Sequence, residues 1–411
     1  MSLDRPKLRP LEALPLRQGG KDYVVLRDPT GLVAQPVAVD LETFFIIRQF
    51  DGQHSVLDIQ AAYVRQFGSL VFSDRIRELV RQLNDQHLLA TEEFRIFYEA
   101  VREEFDGSPV RAPVSAGTAY PAEPVALTAM LHGILQECPP VKLEERPGPL
   151  AALIAPHIDY ERGRKAYAAA FREVETLTGP QLVLVMGTAH QPGTNLFALS
   201  RKHFATPLGQ VQTDVEFVDA LAERLPFDPF ADEFTHRGEH SVELEAVFLK
   251  YLFRESAGLR VVPVLCGGFG KFIEPGGPAL AGDEQMEAMV SAIREVSRSL
   301  HRPTLLLAAA DLSHVGPQFG DADPVGLAKL QATEATDMNF LMRAGRADPE
   351  GLLRTVTEHG DRTHICGLPP VYLLLRVLEP VRGRLLRYEQ WKDGGGQAAV
   401  TFAAVGFYGK G

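Results

Sequence analysis

The chain of 411 residues is longer than one ordinary compact core, which makes two domains the first expectation. With 45% hydrophobic and 23% charged residues, and no apolar run near the roughly eighteen positions of a membrane span, its composition excludes membrane and disordered classes. A formal charge of −11 excludes broad binding to nucleic acid or anionic membrane.

The opening Met1-Ser2-Leu3-Asp4 lacks the apolar stretch of a signal peptide, so no export is expected. Cys138, Cys266 and Cys366 are far apart and form no CxxC pair, which excludes a disulfide scaffold and points to a reducing cytoplasm.

The first element is a small hairpin, with runs at Tyr23–Leu26 and Val33–Val39 around the turn Asp28-Pro29-Thr30-Gly31. Asp40 caps a helix to about Phe50. Ser55, with Asp58 three residues on, opens a second that stops at Gly68. Ser73 opens a third, with Ile76, Leu79, Val80 and Leu83 at helical spacing. The predicted arrangement is a small winged-helix-like α+β domain. Residues 1–100 hold 12 Lys and Arg against 14 Asp and Glu, so the basic footprint of a DNA reader is missing.

Gly107-Ser108-Pro109 through Pro113 marks the domain boundary, giving a module over 1–105, a linker over 106–115 and a second domain over 116–411. There the pattern becomes an alternation of buried strands and helices. Strands are predicted at Ala151–Ala155, Leu182–Met186, Leu259–Leu265 and Thr304–Ala309, closed by an antiparallel hairpin of Arg384–Trp391 and Val400–Tyr408. Helices between them make this a three-layer α/β/α domain with a largely parallel sheet.

The chemistry gathers just after the strand ends. His157 follows the first strand, His190 the second, and Asp311 and His314 the fourth, and ligands of an open α/β sheet bind at such carboxyl ends. Cys366 stands before a helix opened by Pro369-Pro370, where the helix dipole favours thiolate. Glu239-His240-Ser241, with Glu243, opens another helix. A lone strand-end histidine is commonly structural; the joint occurrence of His157, His190 and Cys366 is what points to a site.

Two resemblances follow from these motifs. The hairpin, three helices and closing His87-Leu88-Leu89 resemble PqqD-like domains, which implies a module that holds a peptide. Residues 112–411 resemble the Memo family, the AmmeMemoRadiSam system protein B group, through Ala155-Pro156-His157, Gly187-Thr188-Ala189-His190, Thr206-Pro207-Leu208-Gly209, Glu239-His240-Ser241, Asp311-Leu312-Ser313-His314 and Cys366-Gly367.

That resemblance implies a fold similar to class III extradiol dioxygenases, with a mononuclear metal, iron or copper before zinc, on His157, His190 and Cys366. It makes His314, Asp311, Glu239 and His240 the candidate catalytic residues. It implies redox or oxygen-dependent chemistry on a small molecule or peptide, with a radical SAM protein and an AMMECR1-type protein as partners. The alternatives are a peptide-binding or partner-binding protein and a copper- or iron-handling protein. Ile158-Asp159-Tyr160 departs from the family pattern and is expected to bring a carboxylate near the site.

Overall fold

The computed structural model describes the chain apart from residues 1–2, 34, 179–180, 192, 255–257, 275, 359, 380 and 410–411. It divides into two compact units, Met1–Gly107 and Ser108–Gly411.

In the first unit, strands β1 (Glu12–Gln18), β2 (Lys21–Arg27) and β3 (Val37–Asp40) form an antiparallel sheet in the order β1-β2-β3. The expected hairpin is the β2–β3 pair, in which Leu26 faces Val37; Ala34, within its second run, lies outside the described residues. Strand β1 has no counterpart among the elements expected from the sequence. That strand contains Pro15, tolerated at a sheet edge, and joins β2 through Gly19 and Gly20, whose φ of 58° and 77° suit a two-residue hairpin turn.

Four helices follow: α1 (Leu41–Ile47), α2 (Val56–Phe67), α3 (Ser73–Asp85) and α4 (Glu92–Gly107). Asp40 caps α1 by accepting from the Thr43 amide, and Ser55 with Asp58 forms a complete capping box on α2. Leu26, Ile47, Val56, Ile59, Val80 and Leu89 pack as the core of this unit.

The second unit is built on β4 (Leu150–Ala155), β5 (Leu182–Thr188), β6 (Phe197–Leu199), β7 (Arg260–Cys266), β8 (Thr304–Ala309), β9 (Asp311–Val315), β10 (Arg382–Lys392) and β11 (Ala399–Tyr408). Their order is β9-β11-β4-β8-β5-β7-β6, with β10 paired to β11 and the short strand Gln212–Thr213 to β7. Strands β4, β8, β5 and β7 are parallel, while β6, β9, β10 and β11 run antiparallel to their neighbours, so the sheet is mixed.

The helices are α5 (Pro124–Leu135), α6 (Arg164–Glu175), α7 (Val215–Ala222), α8 (Ser241–Leu252), α9 (Gly270–Ile273), α10 (Glu284–Ser299), α11 (Leu327–Gly345), α12 (Pro349–Thr357) and α13 (Leu368–Val377). Side chains of a strand alternate between faces. Val183, Val185 and Leu307 therefore pack with Leu131, Phe171 and Phe248 of α5, α6 and α8. On the other face Leu184, Met186 and Val264 pack with Phe217, Met289 and Leu374 of α7, α10 and α13. Among the described residues no helix is long and apolar enough to cross a membrane.

Two buried charges tie the start of this unit to α8. Arg111 and Glu243, each with a side chain 1% exposed, form an ion pair. Glu243 also accepts from the amides of Val114 and Ser115 at 3.0 and 2.9 Å and from the Tyr120 hydroxyl, while Arg111 donates to the carbonyls of His236 and Glu239. Residues 111, 114 and 115, inside the segment expected to be a linker, are thus bonded into this unit.

Removing one partner of a buried pair leaves the other charged and unsolvated. Glu243→Ala is expected to cost about 3–5 kcal/mol in denaturant unfolding. A change below about 1 kcal/mol would show that the pair is no staple. In the first unit, Ser55→Ala removes a capping interaction and is expected to cost about 1 kcal/mol of that unit's unfolding free energy, read by circular dichroism in urea.

Candidate metal centre

The parallel strands β4, β5 and β8 deliver their carboxyl ends to one place. His157 stands two residues past β4 and His190 two past β5, while Asp311, two past β8, begins β9. Asp311 and His314, expected beyond a strand end, lie on β9, paired antiparallel with β11. One residue, Ala310, separates β8 from β9, and its amide donates to Ala155 at 2.8 Å, so the chain turns without a loop.

The helix starts bring the other groups. Glu239 and His240 precede α8, and Cys366 precedes Gly367, the cap of α13. A Cβ on Gly367 would stand 2.3 Å from the Asp311 carbonyl oxygen, to which the Gly367 amide donates at 3.1 Å. Only glycine allows this approach, which sets Cys366 against the β8–β9 corner.

His157, His190 and His240 each offer a ring nitrogen, and the three lie within 4.8 Å of one another. The ring centroids are 5.1 Å apart for His157–His190, 5.4 Å for His157–His240 and 4.9 Å for His190–His240. Cys366 Sγ lies 3.3 Å from His157 Nε2 and also hydrogen-bonds His190. His157 Nδ1 is engaged by the Ala309 carbonyl at 2.9 Å and His190 Nδ1 by Glu239 at 3.0 Å, which leaves each Nε2 for the cluster.

Glu239 stands behind two of the imidazoles. Its carboxylate accepts from the amides of His190, His240 and Ser241 at 3.0, 2.8 and 3.0 Å and lies 3.3 Å from His240 Nδ1. Asp311 serves His157 similarly, accepting from the amides of His157 and Ile158 at 2.9 and 3.3 Å, with its other oxygen 3.9 Å from His157 Nε2.

Burial, reinforced by the neighbouring His190 and His240, holds His157 well below the ordinary histidine value, so its ring is neutral. Burial also pulls on His190, but Glu239 and Cys366 overcome it and raise that ring well above the ordinary value. Glu239 goes the other way: burial opposes its charge, yet His190, His240 and the amides hold it well below the carboxylate range. Burial pushes Asp311 up to about 7, against the amides that stabilise its anion.

A cavity of about 270 Å³ opens on His190 and Cys366, walled by Thr188, Phe269, Leu368 and Pro369. His157, His190, His240, Cys366, Glu239 and Asp311 are therefore brought together. His314 is not part of the imidazole trio: its Nδ1 faces the Leu312 carbonyl at 3.1 Å, its ring meets Phe319 edge-on, and burial lowers it to about 4. Asp159 is engaged by Arg162 at 2.9 Å, whose guanidinium lies 4.1 Å from the Trp391 ring centroid. Glu243 belongs to the staple. The place of His240 among the rings was missed as a ligand position, because only the turn before α8 aims it there; its signal was adjacency to Glu239.

A family model described as Memo-like protein matches residues 111–408. The chain is 25% identical to a MEMO1 family protein of Aquifex aeolicus over 98% of its own length and 100% of the relative's. It is 30% identical to a MEMO1 family protein of Thermus thermophilus over 85% of this chain and 96% of the relative, and 26% identical to one of Methanopyrus kandleri over 72% and 98%. The matched residues span most of the second unit, including all three imidazoles, Glu239, Asp311 and Cys366, and by that match the chain belongs to the Memo family.

Proposed function

We propose that this Memo-family chain holds a mononuclear transition metal on His157 and His190, with His240 and Cys366 completing the donor set, and uses it for redox or oxygen-dependent chemistry on a small molecule or peptide. The observation that carries the reading is the convergence of three imidazole nitrogens within 4.8 Å, with a thiol 3.3 Å from one of them.

The donors fit such an ion. Imidazole and thiolate suit iron, copper or zinc and do not suit magnesium or calcium. His157 is already neutral, the form that ligates, and Glu239 fixes the rings of His190 and His240 from behind. When bound, an ion that takes five or six ligands would keep coordination positions for water, dioxygen or substrate beside these four donors.

The remaining roles fall to the chain itself. Asp311 holds the His157 segment by its amides and sets a carboxyl beside Nε2. His314, kept neutral by burial, can accept a proton and has none to give at neutral pH. Phe269, Leu368 and Pro369 make part of the cavity wall apolar, which limits water around the donors. The analogy to class III extradiol dioxygenases supports oxygen chemistry as fold-level likeness. A PqqD-like first unit presenting a peptide, with radical SAM and AMMECR1-type proteins as partners, completes the proposal.

The test is metal content after anaerobic purification of wild type, His157→Ala, His190→Ala, His240→Ala and Cys366→Ala. The wild type is expected to retain iron, copper or zinc. His157→Ala and His190→Ala should lose it, and loss of His240 or Cys366, each a donor in the proposed set, should lower the metal retained below that of the wild type. Equal content in all five proteins would overturn the donor set.

A further inference from the structure

The loop that leaves β7 runs Gly267-Gly268-Phe269-Gly270-Lys271, and three glycines in four positions ask for a reason. The fold supplies it for one of them. A Cβ on Gly267 would stand 3.0 and 3.1 Å from the carbonyl oxygens of Asn195 and Leu196, and the Gly267 amide donates to Leu196 at 2.6 Å. A side chain there would push on backbone that cannot yield.

Gly268 and Gly270 are different. No heavy atom lies within 4 Å of a Cβ built on either, and neither occupies the left-handed region that favours glycine. The loop is anchored between them by Phe269, 2% exposed, whose ring meets those of Phe272 and Tyr372 edge-on at 6.1 and 5.9 Å. At positions of this kind alanine ordinarily stabilises, because it restricts the unfolded chain. Both residues are exposed, so the space beside them is open to solvent, and both line the rim of the cavity of about 270 Å³ that opens on His190 and Cys366.

We propose that Gly268 and Gly270 are specificity-determining residues, which keep one wall bare so that a ring-sized, largely apolar molecule reaches the donor cluster. The inference rests on the metal reading above and narrows its substrate class. The cavity lies just below the range usual for small-molecule sites, beginning at about 300 Å³, so it admits a ring and leaves no room for a folded chain segment. A long side chain at 268 or 270 has room to reach over that volume, and its Cβ displaces no protein atom.

The experiment uses the full chain loaded with Co(II), titrated spectroscopically with azide, a thin linear ligand, and with phenylimidazole, an apolar ring. Wild type, Gly268→Leu and Gly270→Leu are compared for cobalt content, Tm and both affinities, with Gly268→Ala as the mild variant and Gly267→Ala as the fold control. The proposal expects wild type to bind both ligands. The leucine variants should keep cobalt, Tm and an azide affinity within about twofold, while phenylimidazole affinity falls by about tenfold or more. Gly268→Ala should match or exceed the wild-type Tm, and Gly267→Ala should lower it.

Leucine variants that bind phenylimidazole as tightly as wild type would overturn the proposal. So would a parallel loss of azide and phenylimidazole binding, which would mark the glycines as support for the metal. Wild type that binds azide and refuses phenylimidazole would overturn the ligand class. Wild type that takes up no cobalt would overturn the metal reading itself, which keeps the two failures apart.

Discussion

The arrangement depends on the buried carboxylate of Glu239. It caps the turn into α8 through the amides of His240 and Ser241, fixes the His190 segment through its amide, and holds the ring nitrogens of His190 and His240 on their far sides. A buried anion is costly unless its lone pairs are filled and its charge is answered. Here three amides, the N-terminal end of a twelve-residue helix and the raised His190 ring answer it together. Remove that carboxylate and the two rings lose their common reference point.

The same logic repeats around His157 with less charge. Asp311 accepts two amides from the segment after β4, and the Ala309 carbonyl engages Nδ1, so the neighbouring carboxyl ends of β4 and β8 position one ring. The Arg111–Glu243 pair then pins the stretch before α5 onto α8, three residues beyond His240. Fold and site share their buried polar bonds, and the fold-defining pair adjoins the site without entering it.

Much of this was legible in residue order. The nearly continuous apolar runs marked β4, β5, β7 and β8, because strands buried on both faces read that way. His157, His190 and Cys366 stood out by their place after strands or before a helix. Short and edge elements were not legible: β1 carries Pro15 and mostly exposed side chains, and β9 reads as a polar turn until Ser313 is seen bonding Thr401 and Asp337. Nor could spacing separate Glu239 from Glu243. They lie four residues apart, Glu239 just before α8 and Glu243 in its first turn, and only the position of Arg111, 132 residues away along the chain, assigns Glu243 to the staple.

The central claim is a mixed imidazole and thiolate centre. X-ray absorption of the zinc-loaded full chain tests it most directly. The account predicts imidazole scattering at about 2.0–2.1 Å together with sulfur at about 2.3 Å. A first shell of oxygen alone, or imidazole without sulfur, would contradict it.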